Sequence, residues 1–378
     1  MSTASLLYGG PVTWVFQTGV LLEKEGHTIH IVAADEPESE AVKNSPLTVH
    51  GVGEGKGGYR YQPNIVEWAE RHVHEYDVVV GHSIWAHPFK SLAEAAMRKG
   101  IPFFAIPHGM LDPYFTPRFS YQHFKKSIYY RLYLRKILEN CSGVIYTCIA
   151  ERELARTSFA PYQVQEFVME FGAEIDLVNP ADGKAAIEKI LPEVSAQPYF
   201  VFLSRIHPKK ACDIMIEGFG RALADSNYQL VVAGPGSDEL ISRLKEIAKS
   251  VGISDRVHFT GMLKGHEKAG ALQGAQAFVL PSHQENFGIA IAEAMAYGTP
   301  VIISNKVNIY QEIQNEGAGL ICTDEVESFS DALLNFVALS DEQKLKMGES
   351  AKQCHQKHFT IEGSAFSFLD IISGKIAR

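Results

Sequence analysis

Two glutamates stand eight positions apart near the C-terminal end of the chain, Glu285 and Glu293, inside Pro281-Ser-His-Gln-Glu-Asn-Phe-Gly-Ile-Ala-Ile-Ala-Glu-Ala-Met-Ala-Tyr-Gly-Thr-Pro300. The apolar run Ala277 to Leu280 leads into this stretch as a buried strand. Phe287 to Tyr297 reads as a helix closed by Gly298, with Pro300 opening the next strand. A strand that ends in a polar turn and opens a helix suits a phosphorylated ligand, because backbone N–H groups and the helix dipole point there. Glu293 lies among Ile289, Ala290, Ile291, Ala292, Ala294 and Met295, so its carboxylate needs donors. A rise of ~1.5 Å per residue sets it roughly 9 Å inside the helix from Phe287. Carboxylates so separated can accept hydroxyls from opposite ends of a sugar nucleotide. The plainer reading is that helix starts and helix faces carry glutamates routinely.

Cations stand at a comparable place upstream. Ser204-Arg205-Ile-His-Pro-Lys-Lys210 follows a buried strand, with Arg205 at its carboxyl end and Lys210 opening the next helix. A forked guanidinium and a point-charge ammonium together suit a diphosphate; the alternative is a solvated basic loop. Ala233-Gly234-Pro235-Gly236 and Phe259-Thr260-Gly261-Met262 end two more strands on the same edge. Such turns bring backbone close to a ligand or are plain turns, and several on one edge weigh more than one. In the first half, Gly9-Gly10-Pro11 precedes a helix, where glycine permits close approach and proline suits the first helical position. Gly81-His82-Ser83 and Ile106-Pro-His108-Gly109 both follow strands, and His108 is either a structural histidine or one that faces a cleft.

The elements that must carry these residues alternate. Helices are expected at 11–25, 64–75, 89–99 and 120–140, with strands at 28–33, 77–80, 102–106 and 143–147. The rhythm restarts with strands at 199–203, 229–233, 257–260 and 301–304 and helices at 214–223, 239–251, 328–336, 341–356 and 361–372. This is the pattern of two doubly wound, Rossmann-like α/β domains with parallel sheets, facing each other across a cleft. Residues 1–176 form the first domain, 177–198 a linker, 199–358 the second domain, and 359–378 a C-terminal helix packing back on the first. Only eight residues precede Gly9-Gly10, so either Ala4 to Tyr8 makes a short first strand or that central strand is missing.

The chain has 378 residues, which favours two domains over one core. Its 46% apolar and 21% charged residues are ordinary for a soluble protein, and a formal charge of −9 argues against nucleic acid as a general partner. No secretory signal and no apolar run of the ~20 residues of a membrane span is visible. Cys141, Cys148, Cys212, Cys322 and Cys354 contain no C-x-x-C pair and read as reduced thiols of a cytoplasmic protein without zinc.

Taken together these motifs resemble the retaining glycosyltransferases of family 4, with the two-domain GT-B architecture. Glu285-x7-Glu293 is the most specific match, supported by the Arg205/Lys210 spacing, Ala-Gly-Pro-Gly at 233–236 and Phe-Thr-Gly at 259–261. Gly-Gly-Pro at 9–11, Glu-Gly-His-Thr-Ile-His-Ile-Val at 25–32 and Pro-His-Gly-Met-Leu-Asp-Pro-Tyr at 107–114 resemble members that build bacterial surface polysaccharides. The resemblance implies that Glu285 binds the donor sugar and Glu293 the ribose. It further implies that Arg205 and Lys210 hold the diphosphate, which Gly10 approaches, and that Gly234, Gly236, Gly261 and Met262 line the donor. Asn286, Phe287, Gly288 and Ile289 would offer backbone N–H groups, and His108 would face the reacting centre. It implies a UDP-, GDP- or ADP-sugar donor, a sugar or polyprenyl-linked glycolipid acceptor, and neither cofactor nor metal. Ala211 departs from the glycine usual after the lysine, and Glu-Phe-Gly-Ala at 170–173 replaces the common Asn-Gly-Val. Two alternatives use similar parts: a sugar-nucleotide isomerase (epimerase) of the same architecture, and a catalytically silent binding scaffold.

Between Arg118 and Lys136 stand six basic residues and no acid: Arg118, Lys125, Lys126, Arg131, Arg135 and Lys136. Phe119, Tyr121, Phe124, Tyr129, Tyr130 and Tyr133 are interleaved. The segment is either a core helix with a basic outer face or a peripheral contact for anionic lipid on the inner face of the cell membrane.

Overall fold

The computed structural model describes residues 1–5, 9–115, 117, 120–175 and 177–376. The chain forms two compact units, Met1–Ala173 with Ile361–Arg378, and Glu174–Thr360. The second unit is therefore one continuous run, and the first is closed by a helix that returns after it.

In the first unit, β1 (His30–Ala33) pairs in parallel with β2 (Thr48–Gly51). A second parallel sheet has the order β3 (Val79–His82), β4 (Phe103–Ile106), β5 (Gly143–Tyr146) and β6 (Glu166–Val168). β4 and β5 are buried along their whole length, as expected of parallel strands covered on both faces. Gly81 in β3 is required by packing: a Cβ there would meet the rings of Phe103 and Phe89 at 2.5 and 2.6 Å. The expected first strand, Ala4 to Tyr8, falls partly on residues 6–8, which lie outside the described residues, as do Arg118 and Phe119 of the basic segment. Residues 1–5 make no strand but lie beside the end of β1, where the Thr3 hydroxyl and the Ala4 N–H donate to Asp35 Oδ2 (3.1 and 2.6 Å).

The helix Gly10–Lys24 begins at Gly9, whose φ of 89° suits glycine. It packs on the returning helix Ile361–Ile376, where Trp14 Nε1 donates to the buried hydroxyl of Ser364 at 2.8 Å. The expected helix over 120–140 is continuous but changes pitch. Tyr121–Tyr129 and Arg135–Asn140 are α-helical, and Tyr130–Leu134 between them is π-helical. A π-turn admits one extra residue and so rotates the next helical turns about the axis.

In the second unit six parallel strands are arranged β12-β11-β10-β7-β8-β9. They are β7 (Tyr199–Leu203), β8 (Gln229–Ala233), β9 (Val257–Gly261), β10 (Ala277–Leu280), β11 (Val301–Ser304) and β12 (Gly319–Cys322). Renumbered from its first strand, this is the doubly wound order 3-2-1-4-5-6, whose ligand crevice opens where the order reverses, between β7 and β10. Both strands that flank the reversal are apolar throughout and nearly all buried, so the loops that follow them are held on a rigid base.

Residues 177–198, expected as a linker, are folded into this unit as the helices Pro180–Ile190 and Pro192–Ser195. Asn179 caps the first by accepting from the Ala181 N–H at 2.9 Å, and Pro180 occupies its first position. The helix rests backbone to backbone on Gly265–Gln273. A Cβ on Gly270 would lie 1.9 Å from the Gly183 carbonyl oxygen, so only glycine fits. β2, β6, β12 and the helices Ile149–Ser158 and Gly265–Gln273 were not expected from the sequence.

Candidate functional site

The loops after β7 and β10 meet at the point where the strand order reverses, and side chains tie them together. The Lys210 ammonium donates to Glu285 Oε2. Lys209 Nζ donates to Gln284 Oε1 at 3.1 Å, and the Lys209 carbonyl accepts from the His283 N–H (2.9 Å) and the Ser282 hydroxyl (3.1 Å). The turn is braced from the other side by the loop after β11. Glu285 N–H donates to the Lys306 carbonyl, Asn308 N–H donates to the Glu285 carbonyl, and Asn308 Nδ2 donates to Asn286 Oδ1 at 3.1 Å. Glu285 Oε1 in turn accepts from the N–H of Asn286 at 3.0 Å. The carboxylate is thereby fixed in position before any ligand arrives.

Lys210 is buried and Glu285 nearly so, with 8% and 14% of their side chains exposed. Burial, then the Lys209 and Arg205 cations, push the Lys210 ammonium down to about 7, while the Glu285 carboxylate in contact with it favours the charged form. Arg205 is exposed and makes no ion pair with any described residue. Three cations against one carboxylate leave this loop pair electropositive. An anion placed there would relieve the repulsion that depresses Lys210.

Glu293 is also paired, with Lys268 Nζ donating to its Oε1 at 2.7 Å from the neighbouring helix. The helix that carries it is Ile289–Ala296, two residues shorter at its start than the sequence suggested. Gly288 takes left-handed values (φ 79°, ψ 74°) and acts as the N-cap, so Phe287 and Gly288 belong to the turn. Glu293 consequently sits roughly 6 Å along the helix, at ~1.5 Å per residue, rather than the roughly 9 Å expected from a start at Phe287.

The glycines divide into two groups. A Cβ on Gly234 would lie 1.8 Å from the Ser204 carbonyl oxygen, and one on Gly236 would lie 2.8 Å from Ile206 Cβ. These two let the loops after β8 and β7 touch, so packing alone accounts for them. Gly261 has φ 69° with open space where a Cβ would stand, and Met262 beside it is exposed. Gly10 lies at the start of the first unit's helix Gly10–Lys24. Ala211, in the position expected for glycine, adopts φ 52° and ψ 44° and is fully buried.

His108 belongs to the first unit, in the turn after β4, with φ 49°. Its Nε2 lies 2.9 Å from Nδ1 of His82, which ends β3. Lys209, Gln284, Asn308 and Lys268 carry no signal that sequence reasoning picked up. Lys209 adjoins the expected Lys210, but nothing local marks Asn308 or Lys268, whose partners are 22 and 25 positions away. Among the described residues no group of three or more His, Cys, Asp or Glu is placed to hold a metal ion, all five cysteines are free thiols, and no helix is long and apolar enough to cross a membrane.

Two family models match the chain: "Glycosyl transferases group 1" over residues 183–354, and "Glycosyl transferase 4-like domain" over 9–168. A D-inositol 3-phosphate glycosyltransferase of Salinispora tropica is 28% identical over 224 residues, covering 56% of this chain and 46% of that protein. One from Streptomyces bingchenggensis is 31% identical over 195 residues, covering 46% and 42%. The chain spans about half the length of the curated relatives it matches. Among solved structures, sucrose-phosphate synthase from Thermosynechococcus elongatus superposes with a TM-score of 0.77 at 21% identity, covering 98% of this chain and 94% of that one. Anabaena HepE in complex with UDP gives 0.78 at 16% identity, covering 99% and 98%. The fold is that of the GT-B glycosyltransferases, and with one glycosyltransferase model on each half the chain belongs to the group 1 glycosyl transferases of family 4.

Proposed function

We propose that the chain moves a sugar from a nucleotide-sugar donor to a sugar or glycolipid acceptor with retention of configuration, in cell-surface polysaccharide synthesis. The observation that carries this reading is the cluster of Arg205, Lys209 and Lys210 against the pre-fixed Glu285 carboxylate where the strand order reverses. The leaving nucleoside diphosphate gains negative charge in the transition state, and fixed cations stabilise it there without reorganising. In this reading Arg205 and Lys210 bind the diphosphate and Glu285 the sugar hydroxyls. Glu293 binds the ribose, the turn Asn286 to Ile289 supplies N–H donors, and His108 takes part at the reacting sugar. HepE was solved with UDP and with glucose, which makes UDP-sugars the first donors to try. Three cations serve the role that a divalent ion has elsewhere, so turnover is expected to survive excess chelator.

The test is incubation with UDP-, GDP- and ADP-sugars. Release of nucleoside diphosphate with an acceptor product of unchanged anomeric configuration supports transfer. An epimerised donor supports the isomerase, and binding without turnover supports the scaffold.

The acceptor side of the proposal includes contact with anionic lipid through residues 120–136. Tyr130 and Leu134 are buried, but the outer face is more than basic: Tyr121, Phe124 and Leu132 are 75%, 63% and 63% exposed beside exposed Lys125, Arg131 and Lys136. Large apolar groups and cations on one exposed face suit a headgroup–acyl boundary. Co-flotation with vesicles containing phosphatidylglycerol, lost with pure phosphatidylcholine and in a Phe124→Ser/Leu132→Ser variant, is the expected result. Equal flotation with both vesicles would remove the contact from the proposal.

A further inference from the structure

His82 and His108 emerge side by side because β3 and β4 are paired neighbours, with His82 in register with Ile106. Their rings stack at 5.1 Å between centroids and 18°, joined by the 2.9 Å contact between His82 Nδ1 and His108 Nε2. Trp14 lies against both, at 6.1 and 6.0 Å, and Phe171 meets His108 edge-on at 6.0 Å. Burial drives both imidazoles toward the neutral form, His108 down to about 3. Between two neutral rings one nitrogen donates and the other accepts, so one hydrogen bond sets complementary tautomers on both. Among the described residues Nδ1 of His108 has no hydrogen-bond partner, and it is the nitrogen left for a ligand.

The main chain is held as firmly as the ring. A φ of 49° is unfavourable for histidine, and such strain persists only where surroundings enforce it. A buried carboxylate reaches this turn: Glu151, 3% exposed, on the helix Ile149–Ser158. Its Oε1 accepts from the Gly109 N–H at 2.5 Å, directly after His108. Its Oε2 accepts from the N–H and hydroxyl of Thr147 at 2.8 and 2.6 Å, tying the turn to the end of β5.

We propose that His82 and Glu151 are positioning residues for His108: Glu151 holds its backbone in the left-handed conformation, and His82 fixes its ring and selects the tautomer that Nδ1 presents to the substrate. This rests on the reading that His108 takes part in glycosyl transfer.

The bond uses Nδ1 of His82, so asparagine, whose amide ends where Nδ1 stands, can replace it, and leucine and glutamine cannot. In the full chain labelled with 15N-histidine, wild type and His82→Asn are expected to show one His108 tautomer, and His82→Leu and His82→Gln a mixture. With the donor that turns over in the nucleotide-sugar panel, kcat is expected to fall on the order of tenfold to a hundredfold in the Leu and Gln variants, and within about threefold of wild type in Asn, with donor KM unchanged. Leu and Gln variants with wild-type ring shifts and kcat, or Asn as impaired as Leu, would overturn the role of His82. Glu151→Gln, which keeps one acceptor where two are used, is expected to disturb the His108 resonances; unchanged resonances overturn the role of Glu151. His108→Ala tests the underlying reading separately. If it turns over normally while the ring coupling is seen, the catalytic reading fails and the coupling stands as structure alone.

Discussion

Two Glu–Lys pairs lie in the same unit, and they differ in what they hold. Lys210–Glu285 joins two loops across the point where strand order reverses, and both side chains are nearly buried. Lys268–Glu293 joins two helices, and Lys268 keeps 31% of its side chain exposed. In the first pair a buried ammonium with two further cations nearby has its proton loosened. The lesson is that burial and neighbouring cations, not the ion pair alone, decide how firmly a lysine beside a crevice keeps its proton.

Breaking the first pair should have the largest effect. Glu285→Ala or Arg205→Ala is expected to lower turnover by several orders of magnitude with the fold intact by circular dichroism; near-normal turnover in either variant removes that residue from the mechanism. Removing one partner of a buried pair also strands the other charge, so Glu285→Ala should lower stability by about 3 kcal/mol in chemical denaturation, and Arg205→Ala by very little.

A second difference is pH dependence. A nucleotide sugar carries a diphosphate diester that does not titrate near neutrality, so the protein's groups set the profile. Lys210 must be protonated to attract it, and its apo value is pushed down to about 7. Donor affinity should therefore weaken as pH rises from about 7 toward 9, where an ordinary lysine would keep its charge. His207 nearby is lowered below its ordinary value by burial and by Arg205, Lys209 and Lys210, so it is already neutral in that window. Calorimetric titration of donor into wild type and Lys210→Met should show the slope in the first and a flat, weak profile in the second.

Glu293→Gln is expected to change stability by less than about 1 kcal/mol, because its partner is partly solvated, and to weaken donor binding about tenfold if the ribose is bound there. The smallest expected change is a gain. Ala211→Gly relieves a left-handed alanine and should add roughly 0.5–1 kcal/mol to stability, with turnover unchanged. A loss instead would mean that the alanine methyl's packing outweighs its strain.

Much of this architecture was legible from the chain. Strands such as Tyr199–Leu203 and Ala277–Leu280 are short apolar runs closed by turn residues, and the structure places them as read. Glu285, Arg205 and Lys210 could be chosen because each follows such a strand. β2 (Thr-Val-His-Gly) and β6 (Glu-Phe-Val) offer little apolar pattern, whereas β12 (Gly-Leu-Ile-Cys) is an apolar run that could have been read and was missed. The misplaced helix start at Phe287 had a local cause that was visible: Gly288, one residue further on, is a cap. The helix Pro180–Ile190 was hidden by its proline and aspartate, which suggest a linker, although Asn-Pro at its start is a helix-opening signal. Pairing between Lys268 and Glu293, or His82 and His108, depends on strand and helix adjacency, and no local pattern encodes that.

The glycine contact between Pro180–Ile190 and Gly265–Gln273 bears on where this protein can be cut. A chimaera that takes the second unit from residue 199 onward would leave the seat at Gly270 empty and expose backbone that was never meant to meet water. A junction before residue 174 carries the helix along, and because the unit runs without interruption to residue 360, two splices suffice. The first unit offers no such convenience, since its closing helix lies on the far side of the other in sequence, and any transplant of it must be made in two pieces.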